Sequence, residues 1–274
     1  MRNTTVKSEW PEILTDPSGR REAKPRTKGR TMVLDKGLGI QAFEDLLELG
    51  GEYIDIVKFG FGTSPLYPIP LLRRKIELAT ANGITVIPGG TLLETAVRLD
   101  VVPGFFRQTL ALGFTGVEIS DGTISMDRET RDELIRDARS LGLQVFTEYG
   151  KKLFGSRIDV DAFVATAERD LACGADLVTV EARDSGKGVG LFDENGDCRK
   201  DELARLKNAV NDARRIMWEA PLMEQQVALI RALGPDVNIG NVPPQEVIAL
   251  ETMRRGLRSD TFDLQQVPYL DYMI

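Results

Sequence analysis

Short apolar, β-branched segments alternate with longer amphipathic segments along almost the whole chain, and this alternation limits the fold more than any other feature. The short segments have the length and residue types of buried strands. The longer ones, such as IQAFEDLLELG and RDELIRDARSLG, repeat apolar residues with helical spacing. We predict eight strands: TMVLDKG from Thr31, YIDIVKFG from Tyr53, TVIPGG from Thr85, GVEISDG from Gly116, QVFTEYG from Gln144, LVTVEAR from Leu177, IMWEAP from Ile216 and VNIGNV from Val237.

Eight strand-and-helix units in about 250 residues are typical of a (β/α)8 barrel. An open doubly wound sheet is the alternative, but it usually carries a glycine-rich phosphate loop after its first strand. The corresponding segment, LDKGLGIQAF, lacks the third glycine of that loop, and the chain has no P-loop sequence. We therefore predict the α/β class and a single-domain (β/α)8 TIM barrel over residues 30–258, with a polar N-terminal arm at 1–29 and a C-terminal tail at 259–274.

The composition excludes several classes of protein. The 274 residues, 42% of them hydrophobic, suffice for one large core, and two cysteines form neither a disulfide framework nor a zinc cluster. A net charge of -7 argues against nucleic acid as a partner, and we expect the basic cluster from Arg20 to Arg30 to be a solvated arm. Without a signal peptide or an apolar run of about 18 residues, we expect a cytoplasmic protein that contacts no membrane.

The chain contains no histidine. This excludes Ser-His-Asp and Cys-His nucleophile systems and every histidine-ligated metal site, so acid–base chemistry has to use Lys, Glu, Asp or Tyr. In a barrel, the active site lies at the carboxyl ends of the strands. The predicted strand ends carry these polar residues: Asp35, Lys36, Lys58, Glu118, Glu148, Lys151, Glu181, Arg183, Glu219 and Asn241.

Four glutamates lie on successive predicted strands, where an unpaired carboxylate is costly to bury. They are Glu118, Glu148, Glu181 and Glu219. Any one of them could simply neutralise a neighbouring lysine or arginine in an internal salt network. As a set they favour a function, because a purely structural barrel interior is filled with Val, Ile and Leu. A ring of carboxylate oxygens suits a hard cation such as Mg2+.

Cations and carboxylates at one mouth indicate a small, multiply charged anion bound beside a metal. Phosphate is the leading candidate, because barrel phosphate sites use the loops after strands seven and eight and a helix N-terminus. The EAPL and GNVPPQE turns occupy these places. A phosphorylated carboxylate fits this pattern best, although a dicarboxylate or a keto acid would use much the same groups.

Several long motifs together resemble one family. They are KPRTKGRTMVLDKGLG, YIDIVKFGFGTSPLYP, IPGGTL, VEISDGTI, EARDSGKGVGLFDENG, EAPLMEQQ and NIGNVPPQEVIALETMRRGLRSDTF. In this order they are similar to phosphosulfolactate synthases of coenzyme M biosynthesis, and the likeness runs from about Lys24 to Phe262. It implies a (β/α)8 barrel, and a carbon–sulfur lyase that adds sulfite to phosphoenolpyruvate with Mg2+, giving (2R)-phospho-3-sulfolactate.

The resemblance also implies roles for the charged residues. A lysine would protonate C2 of the substrate after sulfite attacks C3, and we expect Lys151 to do so, with Lys58 as second choice. The implied Mg2+ ligands are Glu118, Glu148 and Glu181, followed by Asp35 and Glu219. The groups expected to bind the substrate anions are Lys36, Arg183, Ser185, Lys187 and the amides around Gly240 and Asn241. We expect the segment from Ser185 to Gly196 to close over the site as a lid.

Two other functions stay open at this point. The chain could be another Mg2+-dependent lyase or aldolase that uses phosphoenolpyruvate or pyruvate with a different nucleophile. It could also be a non-catalytic, heat-stress-associated member of the family that keeps the barrel. The retained charges argue against the second alternative, because a scaffold need not keep them. We expect the partners to be small molecules and other copies of the chain in a homo-oligomer.

Overall fold

A barrel of eight parallel strands forms the centre of the computed structural model, which describes residues 9–266. The strands are β1 (Thr31–Asp35), β2 (Ile56–Phe59), β3 (Thr85–Pro88), β4 (Gly116–Ile119), β5 (Gln144–Tyr149), β6 (Leu177–Val180), β7 (Ile216–Glu219) and β8 (Asn238–Val242). Hydrogen-bonded neighbours follow the order β3-β2-β1-β8-β7-β6-β5-β4. Between β3 and β4, the Thr115 amide donates to the Val86 carbonyl at 3.2 Å. The predicted single-domain (β/α)8 TIM barrel is confirmed.

One short helix precedes β1, and helices that follow each strand cover the outside of the barrel. They are α1 (Glu12–Thr15), α2 (Ile40–Gly50), α3 (Ile69–Ala81), α4 (Gly90–Arg98), α5 (Val102–Leu112), α6 (Arg128–Ser140), α7 (Val160–Cys173), α8 (Lys200–Ala209), α9 (Met223–Leu233) and α10 (Val247–Arg254). Short 3-10 helices span Gly51–Tyr53, Ser64–Leu66, Ala213–Arg215, Pro244–Glu246 and Ser259–Leu264. The connection from β3 to β4 contains two helices, α4 and α5, so α4 begins directly at the end of a strand.

The barrel interior has an apolar layer below a charged layer. The apolar layer consists of Met32, Ile56, Ile87, Phe146, Leu177 and Met217. Because side chains alternate across a strand, the residue two positions later also points inward and lies nearer the carboxyl end. On β2, β5 and β7 this step leads from Ile56 to Lys58, from Phe146 to Glu148 and from Met217 to Glu219. The regular strand period therefore places these charges at one level of the barrel.

The N-terminal arm packs against the barrel at the amino ends of the strands. Arg21 Nε donates to both carboxylate oxygens of Glu251 on α10 at 2.9 Å, and Arg26 Nη1 pairs with Asp55 at 3.1 Å. The side chains of Arg21 and Arg26 are 5% and 3% exposed. The expectation of a solvated arm is therefore wrong for these residues, because carboxylates on the barrel hold them.

The described part of the C-terminal tail packs beside this arm. The Gln266 amide donates to the Pro17 carbonyl at 2.8 Å. The remainder of the predicted tail, residues 267–274, lies outside the described residues. Among the described helices, none combines the length and apolar character needed to cross a membrane.

Candidate active site

A cavity of about 360 Å3 opens at the carboxyl ends of the strands. Its lining comes from seven strands or the turns that follow them and from the start of α4. The lining residues are Leu34, Lys58, Phe61, Gly90, Thr91, Glu118, Thr123, Glu148, Lys152, Glu181, Arg183, Asp184, Glu219 and Asn241. All four glutamates predicted from consecutive strands are among them.

Lys58 lies between three of these glutamates. Its ammonium donates to Glu118 Oε1 at 2.9 Å and to Glu219 Oε1 at 2.8 Å, and Glu148 Oε2 lies 3.8 Å away. One carboxylate oxygen from each glutamate lies within 4.8 Å of the others, and all three residues are buried. Burial alone would lower the pKa of Lys58, but attraction to the carboxylates holds it well above the ordinary value. Lys58 is therefore a fixed cation.

Lys152 contacts the other side of the carboxylate group. Its ammonium lies 2.7 Å from Glu148 Oε1 and 3.4 Å from Glu181 Oε2. Burial raises the pKa of Glu181 well above 4.5, and the charges of Glu148 and Glu219 raise it further. Burial also raises the pKa of Glu148, but Lys152 and Lys58 outweigh it and lower that pKa to about 2. At neutral pH Glu148 is therefore charged, whereas burial and the neighbouring carboxylates favour the protonated form of Glu181.

Glu94, which the sequence reasoning missed, is a fifth carboxylate beside this group. It projects from α4 and is 1% exposed. It accepts hydrogen bonds from the Ser120 hydroxyl and, at 3.0 Å, from the Thr123 amide, and it lies 3.8 Å from the Lys152 ammonium. Nothing in the local sequence TLLETAVR distinguishes this glutamate from an exposed helical one, because only the tertiary packing of α4 turns it inward.

The close packing of α4 depends on Gly90. Its amide donates to Glu118 Oε2 at 2.7 Å. A Cβ atom at this position would lie 2.5 Å from the Ser120 hydroxyl and 3.0 Å from Glu118 Oε2. Any other residue would therefore push the first turn of α4 away from the carboxylates.

Lys151, the expected proton donor, lies outside the cavity lining. Its ammonium donates to the Asp121 and Ile124 carbonyls at 2.6 and 3.1 Å and pairs with the Asp121 carboxylate at 3.1 Å. These contacts hold the loop between β4 and α6. Lys152 lines the cavity instead. Alternation along β5 could not indicate this, because the strand ends at Tyr149 and Gly150 has a φ of 134°.

Asp35, an expected metal ligand, is also outside the cavity lining. One carboxylate oxygen accepts from the amides of Gly37 and Leu38 at 2.8 Å, and the other lies 2.5 Å from the ammonium of Lys75. Asp35 and Lys75 are both fully buried, and the rings of Phe43, Phe59 and Tyr67 surround the ammonium at 4.8–5.0 Å. This carboxylate therefore fixes the turn after β1.

Three cavity residues have a strained backbone. Phe61, Arg183 and Asn241 have φ values of 57°, 60° and 54°, in the left-handed region that non-glycine residues rarely adopt. Each follows or ends a strand, and the buried Oδ1 of Asn241 has no hydrogen-bond partner in the described structure. Strain of this kind concentrates where a fold holds groups for a ligand.

The other predicted anion-binding residues lie farther out. Lys36 pairs with Asp184 at 3.4 Å above the mouth, while Ser185 and Lys187 are exposed and are absent from the cavity lining. Gly240 is a packing position, because a Cβ there would lie 2.8 Å from Met32.

The predicted lid is hydrogen-bonded to its surroundings. Gln225 donates to the Gly186 and Gly196 carbonyls at 2.6 and 3.0 Å, and Gly155 donates to the Gly188 carbonyl at 2.7 Å. The structure thus shows the segment in a packed position and leaves its closure a prediction.

The sequence matches the family described as (2R)-phospho-3-sulfolactate synthase over residues 19–260. The chain belongs to the phosphosulfolactate synthase family. The phosphosulfolactate synthase of Methanothermobacter thermautotrophicus is 43% identical over 91% of this chain and 96% of its own length. That of Methanocaldococcus jannaschii is 44% identical over 86% and 94%.

More distant comparisons extend the family and the fold. Protein HEAT-STRESS-ASSOCIATED 32 of Arabidopsis thaliana is 25% identical over 85% of this chain and 88% of its own length. The crystal structure of 3-hexulose-6-phosphate synthase from Salmonella typhimurium superimposes with a TM-score of 0.53 at 17% identity, over 86% of this chain and all of that one. This structural likeness shows the barrel fold, and membership of the synthase family shows that the chain is an enzyme.

Proposed function

We propose that this chain is a phosphosulfolactate synthase that adds sulfite to phosphoenolpyruvate with Mg2+. The observation that carries the proposal is the set of buried carboxylates and ammonium groups at the base of an open cavity. In the reaction, the sulfite lone pair forms a bond to C3, the C2=C3 π electrons move toward C2 and the carboxylate, and a proton is added at C2. The product keeps every atom of both substrates, so the site has to stabilise charge and deliver one proton.

The carboxylates fit a hard divalent cation. Glu118, Glu148 and Glu219 bring buried oxygens within 4.8 Å of one another, and Glu181 adds a fourth carboxyl group. Carboxylates outnumber the buried ammonium of Lys58 and the half-buried ammonium of Lys152, and oxygen ligands of this kind suit Mg2+. A bound Mg2+ would stabilise negative charge that develops on the substrate carboxylate. Since Lys58 neutralises the same oxygens, a cation at these three glutamates has to compete with its ammonium.

Lysine and arginine side chains supply positive charge in the same cavity. Lys58 and Lys152 are protonated, because carboxylates raise the pKa of each against the effect of burial. Arg183 extends the positive charge to the cavity wall. We infer that these groups attract the phosphate, carboxylate and sulfite anions and remain in place as charge moves in the transition state.

We propose Lys152 as the proton donor in place of Lys151. Lys152 lines the cavity, whereas Lys151 is engaged with the loop that contains Asp121 and Ile124. A donor has to come within hydrogen-bond reach of the carbon it protonates, and geometry takes precedence over basicity. Lys58 is less suited, because it donates two hydrogen bonds to carboxylates and its side chain is 5% exposed, whereas Lys152 donates one and is 23% exposed.

The fixed charge of Lys58 also weighs against Schiff-base chemistry in this cavity. A lyase that forms a Schiff base needs an uncharged lysine amine. Lys58 and Lys152 both have raised pKa values, so neither is suited to that role. A non-catalytic role is disfavoured by the cost of keeping strained and charged residues together in one cavity.

The test is incubation of the purified protein with phosphoenolpyruvate, sulfite and Mg2+ in phosphate-free buffer, with and without a chelator, followed by mass spectrometry. We expect a phosphosulfolactate signal that disappears with the chelator. Lys152→Met should lower kcat by about 100-fold or more, the usual contribution of a general acid, whereas Lys151→Met should cost less than about tenfold. Binding of phosphoenolpyruvate without product would indicate another nucleophile. An equal loss in both variants would contradict the choice of Lys152.

A further inference from the structure

Glu94 on α4 is a buried acid with no role in the chemistry described so far. Its two hydrogen-bond donors, the Ser120 hydroxyl and the Thr123 amide, are uncharged. A glutamine could satisfy both, with its oxygen accepting from Thr123 and its amide donating to the Ser120 oxygen. These hydrogen bonds alone therefore do not require a carboxylate, and burying a charge is costly unless it is paired.

The pairing group is Lys152. Among the described residues, Lys152 is the one lysine or arginine that pairs with Glu94, and its Nζ lies 3.8 Å from Glu94 Oε1. Glu148 and Glu181 also contact Lys152, but both are expected to be metal ligands. Glu94 lies outside the three glutamates whose oxygens converge. When Mg2+ binds the other carboxylates, Glu94 is the carboxylate left to hold the ammonium of Lys152.

The backbone around Lys152 is linked to the loop that Glu94 holds. The residue follows Gly150, which has a φ of 134°, and precedes the exposed Leu153 and Phe154. Its amide donates to the Gly122 carbonyl at 3.2 Å, in the loop whose Thr123 amide is bound to Glu94. One carboxylate on a helix thus fixes both the ammonium and the loop beside it.

We propose that Glu94 is a positioning residue, which holds the ammonium of Lys152 over the substrate while the other carboxylates bind the metal. This inference rests on the proposed function. It predicts that the charge of Glu94 matters only through Lys152, so that Glu94→Gln and Lys152→Met should not have additive effects.

The first experiment is a double-mutant cycle on kcat. We expect Glu94→Gln to lower kcat by about tenfold in the wild-type background and by less than about twofold when Lys152 is already Met. The half-saturating Mg2+ concentration should stay within about twofold. Glu251→Gln is the matched control, because Glu251 is also a buried, ion-paired helical glutamate but lies at the other end of the barrel. It should leave kcat unchanged.

The second experiment needs no turnover. Reductive methylation of the full-length protein in saturating Mg2+, followed by peptide mass spectrometry, should label Lys152 at least about threefold faster in Glu94→Gln than in wild type. Labelling of the exposed Lys207 on α8 serves as the internal reference and should not change. Unchanged labelling of Lys152, or an equal loss of kcat in the Lys152→Met background, would overturn the proposal. If the wild-type protein makes no phosphosulfolactate, the proposed function fails, while the labelling still decides whether Glu94 holds Lys152.

Discussion

The two ends of the barrel treat charge in opposite ways. At the amino ends of the strands, Arg21 is matched with Glu251, and Arg26 with Asp55. The fully buried Arg254 donates to the Pro235 and Val237 carbonyls at 2.5 and 2.6 Å. At the carboxyl ends, carboxylates outnumber the ammonium groups that neutralise them. The amino end, where these cations all have protein acceptors, stabilises the fold, whereas the carboxyl end, with its excess of carboxylates, keeps a capacity to bind a cation.

Strained backbone conformations are also concentrated at the carboxyl end of the barrel. Within residues 9–266, the non-glycine residues with left-handed φ are Phe61, Asp100, Arg183 and Asn241. Three of them line the cavity, and Asp100 lies between α4 and α5. Unfavourable conformations and unbalanced charge thus occur together at the mouth, where binding a ligand can offset their cost.

The largest effect should come from Lys58→Met. The change leaves buried carboxylates unpaired, so the free energy of unfolding should fall by about 3–5 kcal/mol, measured by urea denaturation without metal. Mg2+ should recover part of this loss, because it neutralises the same oxygens. Lys75→Met is the control, since Lys75 is equally buried but pairs with Asp35 outside the cavity. If Mg2+ restored both variants equally, the distinction between the two sites would be wrong.

At the opposite end, Arg21→Met should lower the free energy of unfolding by about 2 kcal/mol, the usual contribution of a hydrogen bond between charged groups. The kcat should not change, since Arg21 lies at the other pole of the barrel. Thermal denaturation and steady-state kinetics on the same preparation check both statements. A large fall in kcat would show that the arm acts on the mouth.

At higher pH, Glu181→Gln should be more stable than wild type. The folded-state pKa of Glu181 is raised, so its contribution to stability is complete below pH 4.5 and is lost as pH rises toward the folded pKa. Without metal, the advantage of the variant over wild type should be absent at pH 4 and should grow as the pH rises above 4.5. Urea denaturation at several pH values measures this. A constant difference would indicate that Glu181 is ionised in the folded protein.

The smallest effect should come from relief of backbone strain. Arg183→Gly and Asp100→Gly should each raise the free energy of unfolding by about 0.5 kcal/mol, because glycine adopts a left-handed φ without steric cost. Only Arg183→Gly should also weaken phosphoenolpyruvate binding, measured by calorimetry. Equal binding in both variants would remove Arg183 from the proposed anion site.

The sequence was most informative where side-chain direction follows from a regular period. Glu118, Glu148 and Glu219 could be assigned to one cavity because alternation along a strand leaves each of them a single inward direction. The choice between Lys151 and Lys152 was harder, since both follow β5 in a loop where Gly150 has a φ of 134°. Asp35 lies three residues after the inward Met32, so alternation along β1 directs it away from the interior, where it pairs with the fully buried Lys75 on α3.

By itself, the sequence determined the barrel, its eight strands and the level at which the glutamates meet, because these depend on local periods of two and 3.6 residues. The tertiary structure alone decided which lysine enters the cavity, which carboxylates are already paired, and that Glu94 joins the site from α4. These outcomes depend on contacts between residues far apart in the chain, such as Lys58 with Glu219 and Arg21 with Glu251. No local pattern encodes such a contact, since it is decided by how the packed elements share buried charge.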